Sequence, residues 1–136
     1  MSRPLVLKLG IRGGDAVHLR NAPPRFEDQL EPLPEDVSLR RDGGGPFQVA
    51  VLFARDEAEL RRDFPVVAPA VDTAGALWVT WPKKASGVVT DLAFDRVQAV
   101  GLEAGWVDNK ICAVDEIWSG LRFVIRLADR PGRRRT

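Results

Sequence analysis

The chain has 136 residues, enough for one compact domain and too few for two that each carry a core. It is 45% hydrophobic and 29% charged, with a net charge of +1 and a mean hydropathy of -0.14, which excludes a disordered chain, a helical membrane protein and a broadly basic nucleic-acid binder. A single cysteine, Cys112, excludes an intramolecular disulfide, and a single histidine, His18, excludes nearly all histidine-based metal sites.

Residues 1–10 read MSRPLVLKLG, and their short apolar run is interrupted by Lys8, so they lack the apolar core of a secretion signal and a cytoplasmic protein is expected. Extended and helical patterns then alternate: a strand at 16–19, a helical stretch at 26–33, a strand at 37–41, a strand at 47–53 and a helix at 56–70. The second half adds a strand at 76–81, a helix at 92–104 and two extended segments at 106–117 and 121–127. The runs VAVLF and ALWVT are apolar at every position, as strands covered by helices on both faces must be. The expected fold is therefore α/β, a three-layer Rossmann-like sandwich with a mostly parallel sheet of about six strands and an antiparallel C-terminal hairpin. One domain is expected over residues 1–128, followed by a basic tail at 129–136 that reads DRPGRRRT.

Acids follow Asp56 in the first turn of one helix, and Thr90 or Asp91 stands where a cap for the next is needed, with Gly105 at its far end. Between 37–41 and 47–53 the sequence DGGGP leaves no room for a crossover helix. Both a helix-free parallel crossover and an antiparallel edge strand remain open there.

The segments FQVAVLF (47–53) and TAGALWVTW (73–81), with the closing extended pair, resemble the second half of class I S-adenosylmethionine-dependent methyltransferases. The wording of PFQVAVLF, GALWVTWPKKASGVVTDL and GWVDNKICAVDEIWSGLRFVIR is also similar to a family of short bacterial proteins of unknown function, over residues 8–126. That resemblance implies a pared-down Rossmann-like fold and no established activity. Methyltransferases of this class carry a glycine-rich turn after their first strand; here Arg20, Asn21, Ala22, Pro23 and Pro24 stand in that place, while Gly10, Gly13 and Gly14 precede the strand. The acid that would bind the ribose hydroxyls falls to Asp42. These departures weigh against S-adenosylmethionine as the cofactor.

In a parallel sheet the carboxyl ends of the strands gather Asn21, Arg55 and the loop at 82–87 on one edge, the default site of such folds. In that loop Lys83, Lys84 and Ser86 join a buried strand to the start of a helix, a combination suited to a phosphate or carboxylate. Trp118 and Trp81 lie at strand ends, where an indole either stacks on a flat ligand or packs in the core. His18 and Cys112 read as packing residues, and Asp115 and Glu116 as parts of the hairpin loop. No catalytic residue and no metal ligand is assigned. The leading expectation is a non-enzymatic module that binds a small anionic or nucleotide-like ligand or a protein partner. The alternatives are a minimal methyltransferase with an atypical cofactor site and a structural subunit of a larger assembly, and neither nucleic acid nor membrane is an expected partner.

Overall fold

The run FQVAVLF forms strand β3 (Phe47–Phe53), buried at every position but Gln48, and the rest of the sheet is assembled around it. The structure, a computed structural model, describes residues 3–130; the expected basic tail from 131 onward lies outside the described residues. On one side of β3 lie β1 (Ala16–Arg20) and the three-residue β2 (Ser38–Arg40), and on the other β4 (Val71–Pro82), all parallel. The sheet closes with β5 (Trp106–Ala113) and β6 (Trp118–Ile125), giving the order β2-β1-β3-β4-β6-β5 with β6 antiparallel to both neighbours. This is the Rossmann-like α/β sheet that the sequence predicts, six strands with an antiparallel C-terminal hairpin.

The direction of β2 resolves the alternative left open above. It runs parallel to β1, and residues 41–46 return to β3 without a helix. The short link suffices because β2 pairs only with Ala16, Val17 and His18, the lower half of β1, so little height has to be recovered.

Helices α2 (Glu57–Val67) and α3 (Phe94–Glu103) cover one face of the sheet and build a core with Leu52, Leu60, Phe64, Leu77, Val97 and Phe123. Asp56 caps α2 through its carboxylate, which accepts the amide of Glu59 at 2.8 Å. Gly101 lets α3 approach closely, because any Cβ there would collide with the Phe123 ring. The other face is covered more thinly. A single helical turn, α1 (Leu5–Lys8), and a 3-10 turn (Phe26–Leu30) enclose Val17, Leu19, Val51, Phe53 and Trp78. The helix expected at 26–33 stops short because Pro32 and Pro34 deny it backbone donors, and α1 was not legible because four residues give no period to detect.

Trp78 fixes this second layer. Its buried indole N–H donates to the carbonyl of Leu9 at 3.0 Å, tying the residue that follows α1 to the middle of β4. Replacing Trp78 with Phe removes the only donor on the ring and strands a buried carbonyl, so a loss of about 1–3 kcal/mol is expected in urea unfolding; an unchanged midpoint would show that the α1 layer is held otherwise.

His18 is buried in β1, stacked on Phe47 with ring centroids 5.0 Å apart, and its Nδ1–H donates to the carbonyl of Arg40 at 3.1 Å. Burial above all, with the nearby charge of Arg20, lowers its pKa below 6.5, against the opposing effects of the Arg40 carbonyl and Asp42. The folded state thus binds fewer protons than the unfolded one, and His18 stabilises the fold fully above pH 6.5 and progressively less as pH falls. Unfolding midpoints measured between pH 7.5 and 5 should fall in the native protein and fall less in His18→Gln.

Candidate functional site

The chain leaves β1 toward β2 and leaves β3 toward β4, so the crevice between the carboxyl ends of β1 and β3 is the switch point where ligands bind in such sheets. β1 ends at Arg20, and the next residue, Asn21, adopts a left-handed conformation with φ 59°. Asparagine is among the few non-glycine residues that tolerate it. The turn after β1 therefore has the backbone freedom usually supplied by glycine.

The Asn21 side chain reaches across the crevice. Its amide donates to the carbonyl of Phe53 at 3.3 Å and to the Asp63 carboxylate at 2.7 Å. Asp63 belongs to α2, is only 1% exposed, and also accepts from Arg62 through Nε and Nη2, each at 3.0 Å, and from Arg20 Nη2 at 3.4 Å. The Arg62 hydrogen bonds, reinforced by Asn21, hold the Asp63 carboxyl below its ordinary value of 3.8 although burial pushes the other way. One donor of the cluster remains open: Arg20 Nε is buried and has no partner among the described residues.

Arg41, just beyond β2, holds the loop that follows Asn21. Its guanidinium donates to the carbonyls of Ala22 and Pro23 at 2.7 and 2.8 Å and to both carboxylate oxygens of Glu27 at 2.8 and 3.0 Å. This fork fixes backbone that two prolines already restrict. Neither Arg20, Asp63 nor Arg41 was singled out from the sequence. For Asp63 a signal existed, since it shares the buried face of α2 with Leu60, Phe64 and Val67 at helical spacing, and a carboxylate on an apolar face needs partners.

The residues singled out from the sequence take up different places. Asn21 lies in the crevice. Arg55 is exposed, and its amide donates to Glu59 at 2.8 Å. Lys84–Ser86 forms a 3-10 turn in which the Ser86 hydroxyl donates to the Lys83 carbonyl at 2.6 Å and accepts from the amide of Val88, so that hydroxyl serves the turn itself. The amides of α3 are not in this loop, because α3 begins only at Phe94. Neither Thr90 nor Asp91 caps α3, contrary to expectation: Thr90 accepts the amide of Leu92, and Asp91 accepts the amide of Glu57 at 2.8 Å and so supports the start of α2. Trp118 is 8% exposed and packs edge-on against Phe53 at 5.0 Å, within the core. Asp42 is exposed at the end of the β2 segment. Burial raises the pKa of the Cys112 thiol, which suits packing and not nucleophilic chemistry. Among the described residues no group of three His, Cys, Asp or Glu side chains could hold a metal ion, and no helix is long and apolar enough to cross a membrane.

Solved structures share this architecture. The chain is similar to magnesium protoporphyrin IX methyltransferase from Synechocystis PCC 6803 with bound SAH, at a TM-score of 0.56 and 10% identity over 90% of this chain and 78% of that one. The same enzyme with bound SAM matches at a TM-score of 0.59 and 8% identity, over 90% and 74%. The PH0226 protein of Pyrococcus horikoshii OT3 matches at 0.61 and 10% identity, over 90% and 87%, and LepI in complex with SAM at 0.54 and 11%, over 91% and 47%. No family model matches the sequence, and no curated protein does. The fold is a methyltransferase-like Rossmann fold. This corrects the leading expectation of a non-enzymatic module: the solved structures that share the fold include methyltransferases holding SAM or SAH.

Replacing Asp63 with Ala leaves Arg62, Asn21 and Arg20 without their shared acceptor, and a loss of about 3 kcal/mol is expected. Because the Asp63 pKa is lowered on folding, its contribution is present above pH 3.8 and lost as pH falls further. Urea titrations should therefore show the native protein and Asp63→Ala converging toward pH 3, and a constant gap would show that the charge of Asp63 is immaterial.

Proposed function

We propose that this chain is a minimal S-adenosylmethionine-dependent methyltransferase whose cofactor lies at the carboxyl edge of β1 and β3 and is held by an atypical set of residues. The observation that carries this reading is the left-handed Asn21 at the end of β1, which supplies, in a sequence without glycine there, the turn through which backbone approaches such a cofactor. The unpartnered Nε of Arg20 at the same strand end suits the carboxylate of the cofactor's amino-acid part, and Asp42 beyond β2 suits its ribose hydroxyls. Bound there, the cofactor would supply an activated methyl group. Arg55, Lys83 and Lys84 flank the same edge and have no carboxylate within ion-pair distance among the described residues, which suits an anionic part of the methyl acceptor. One cysteine, kept as a thiol by burial, is in keeping with work in the reducing cytoplasm.

Calorimetric titration with S-adenosylhomocysteine tests the reading. A Kd of about 100 µM or tighter, roughly 5.5 kcal/mol of binding, is expected. Arg20→Gln and Asp42→Asn should each weaken it about tenfold at unchanged stoichiometry. No detectable binding at millimolar ligand would overturn the proposal.

A further inference from the structure

The edge opposite the crevice, where the parallel strands begin, holds a cavity of about 330 Å³ lined by Arg12, Asp15, Gln48, Asp72, Gly75 and Arg122, among others. A break in the sheet makes it. Phe47 pairs with Val71 and Val49 with Ala76, so one residue of β3 between the pairs faces four of β4, and residues 72–75 bulge out of the ladder. Gly75 is required within the bulge, since a Cβ there would come within 2.6 Å of the Gln48 carbonyl. Gln48 is held in turn by its side-chain oxygen, which accepts the amide of Ala16 at 2.6 Å.

The charges lining this cavity are not spent on one another. No ion pair among the described residues involves Arg12, Arg122, Asp15 or Asp72, although two cations and two anions share one wall. Asp15 accepts the backbone amide of Arg12 at 2.8 Å, and Arg122 donates through Nη1 to Asn109 at 3.2 Å, so both side chains are positioned by neutral groups. Arg122 is partly buried, and the charged groups that act on it are cations, Arg12 and Arg130; burial first, and then that repulsion, lower its pKa, though an arginine stays charged at any working pH. Guanidinium groups gathered without a carboxylate in contact are relieved by an incoming anion, which they bind through paired N–H donors. The two carboxylates on the same wall repel an anionic group placed beside them, and they accept hydrogen bonds from hydroxyl or ammonium groups instead.

We infer that the cavity at the amino edge is a second binding site, for a small molecule with an anionic head, phosphate or carboxylate, against Arg12 and Arg122 and with hydroxyl donors against Asp15 and Asp72. The site lies at the opposite edge from the carboxyl-edge crevice and does not depend on the methyltransferase reading, because its ligand needs no adenosine and, among the described residues, no ion pair joins its charged groups to those proposed to hold the cofactor. A wall with both cations and carboxylates selects for a ligand that carries both an anionic group and hydroxyl donors, and a bare inorganic ion satisfies only the cations.

Titration of the full chain with glucose 6-phosphate, gluconate and uncharged glucose, followed by calorimetry and by chemical-shift changes at Gln48 and Gly75, tests the inference without any adenosine ligand present. At least one of the two charged probes should bind about tenfold or more tighter than glucose, and the tighter of the two identifies the head group. Arg12→Gln, on an exposed loop, and Arg122→Gln should each weaken that probe about tenfold, while Asp72→Asn should reduce its advantage over inorganic phosphate titrated alongside it. Melting temperatures separate lost binding from lost folding, and Arg12→Gln keeps the test valid if Arg122→Gln unfolds. Absence of binding by both charged probes, equal binding of glucose, or affinities unchanged in both arginine variants would overturn the site. None of these outcomes bears on the titration with S-adenosylhomocysteine.

Discussion

A sheet that is apolar on both faces must be covered on both, and among the described residues there are only two full helices, which lie on the same face. On the other face the Trp78 indole, holding Leu9, ties the thin cover to the middle of the sheet, a contact between residues 69 apart in sequence. Without it, the helical turn would keep only its apolar contacts and the Lys8 ammonium on the Ala113 carbonyl, and the 3-10 turn its apolar contacts and the Arg41 fork to Glu27, and helices this short have little stability of their own. With it, Val6, Leu9, Phe26 and Leu30 are brought over β1, β3 and β4 and are buried nearly completely. The economy of the domain, a Rossmann-like sheet within 136 residues, rests on this replacement of helices by a pinned irregular layer.

The same economy shapes the carboxyl edge. Where larger sheets of this kind have a glycine turn leading into a helix, β1 here runs into Asn21 and a loop with two prolines, and the loop is held from outside by Arg41. Asn21 has two tasks, the left-handed backbone and the bridge to Phe53 and Asp63. The cluster around Asp63 offsets the cost of a buried carboxylate with hydrogen bonds from Arg62, Asn21 and Arg20, so the crevice floor is charged, ordered and specific in shape.

How much of this was legible in the sequence follows from the range over which each signal acts. The buried strands were readable because continuous apolar runs such as FQVAVLF are local, and β3 appears with the bounds expected. The start of β4 was placed late, at Ala76, because residues 72–75 carry the bulge and show no strand pattern, although pairing resumes at Val71. The sequence puts Asn21 at the right strand end, but the absence of glycine hides the turn, because asparagine supplies the same backbone region. The anion-binding reading of Lys83, Lys84 and Ser86 leaned on a helix starting next to them; Gly87 to Ala93 intervene, and the Ser86 hydroxyl is taken by its own turn. Arg41 and the cavity lined by Arg12 and Arg122 depend on contacts between distant segments, for which one sequence offers no period or spacing.

The shortness of β2 reaches further than its three residues suggest. Because residues 41–46 must return to the foot of β3 without a helix, each two residues added to β2 would lift its end by roughly 7 Å and use up more of the reach of that return. Strand length and linker length are therefore coupled in this fold, and the edge of the sheet descends like a stair from β1 to β2. Among the described residues, Leu19 and Arg20 stand above that step with no strand beside them on the β2 side, so the same short linker that limits β2 leaves the end of β1 bare on that flank.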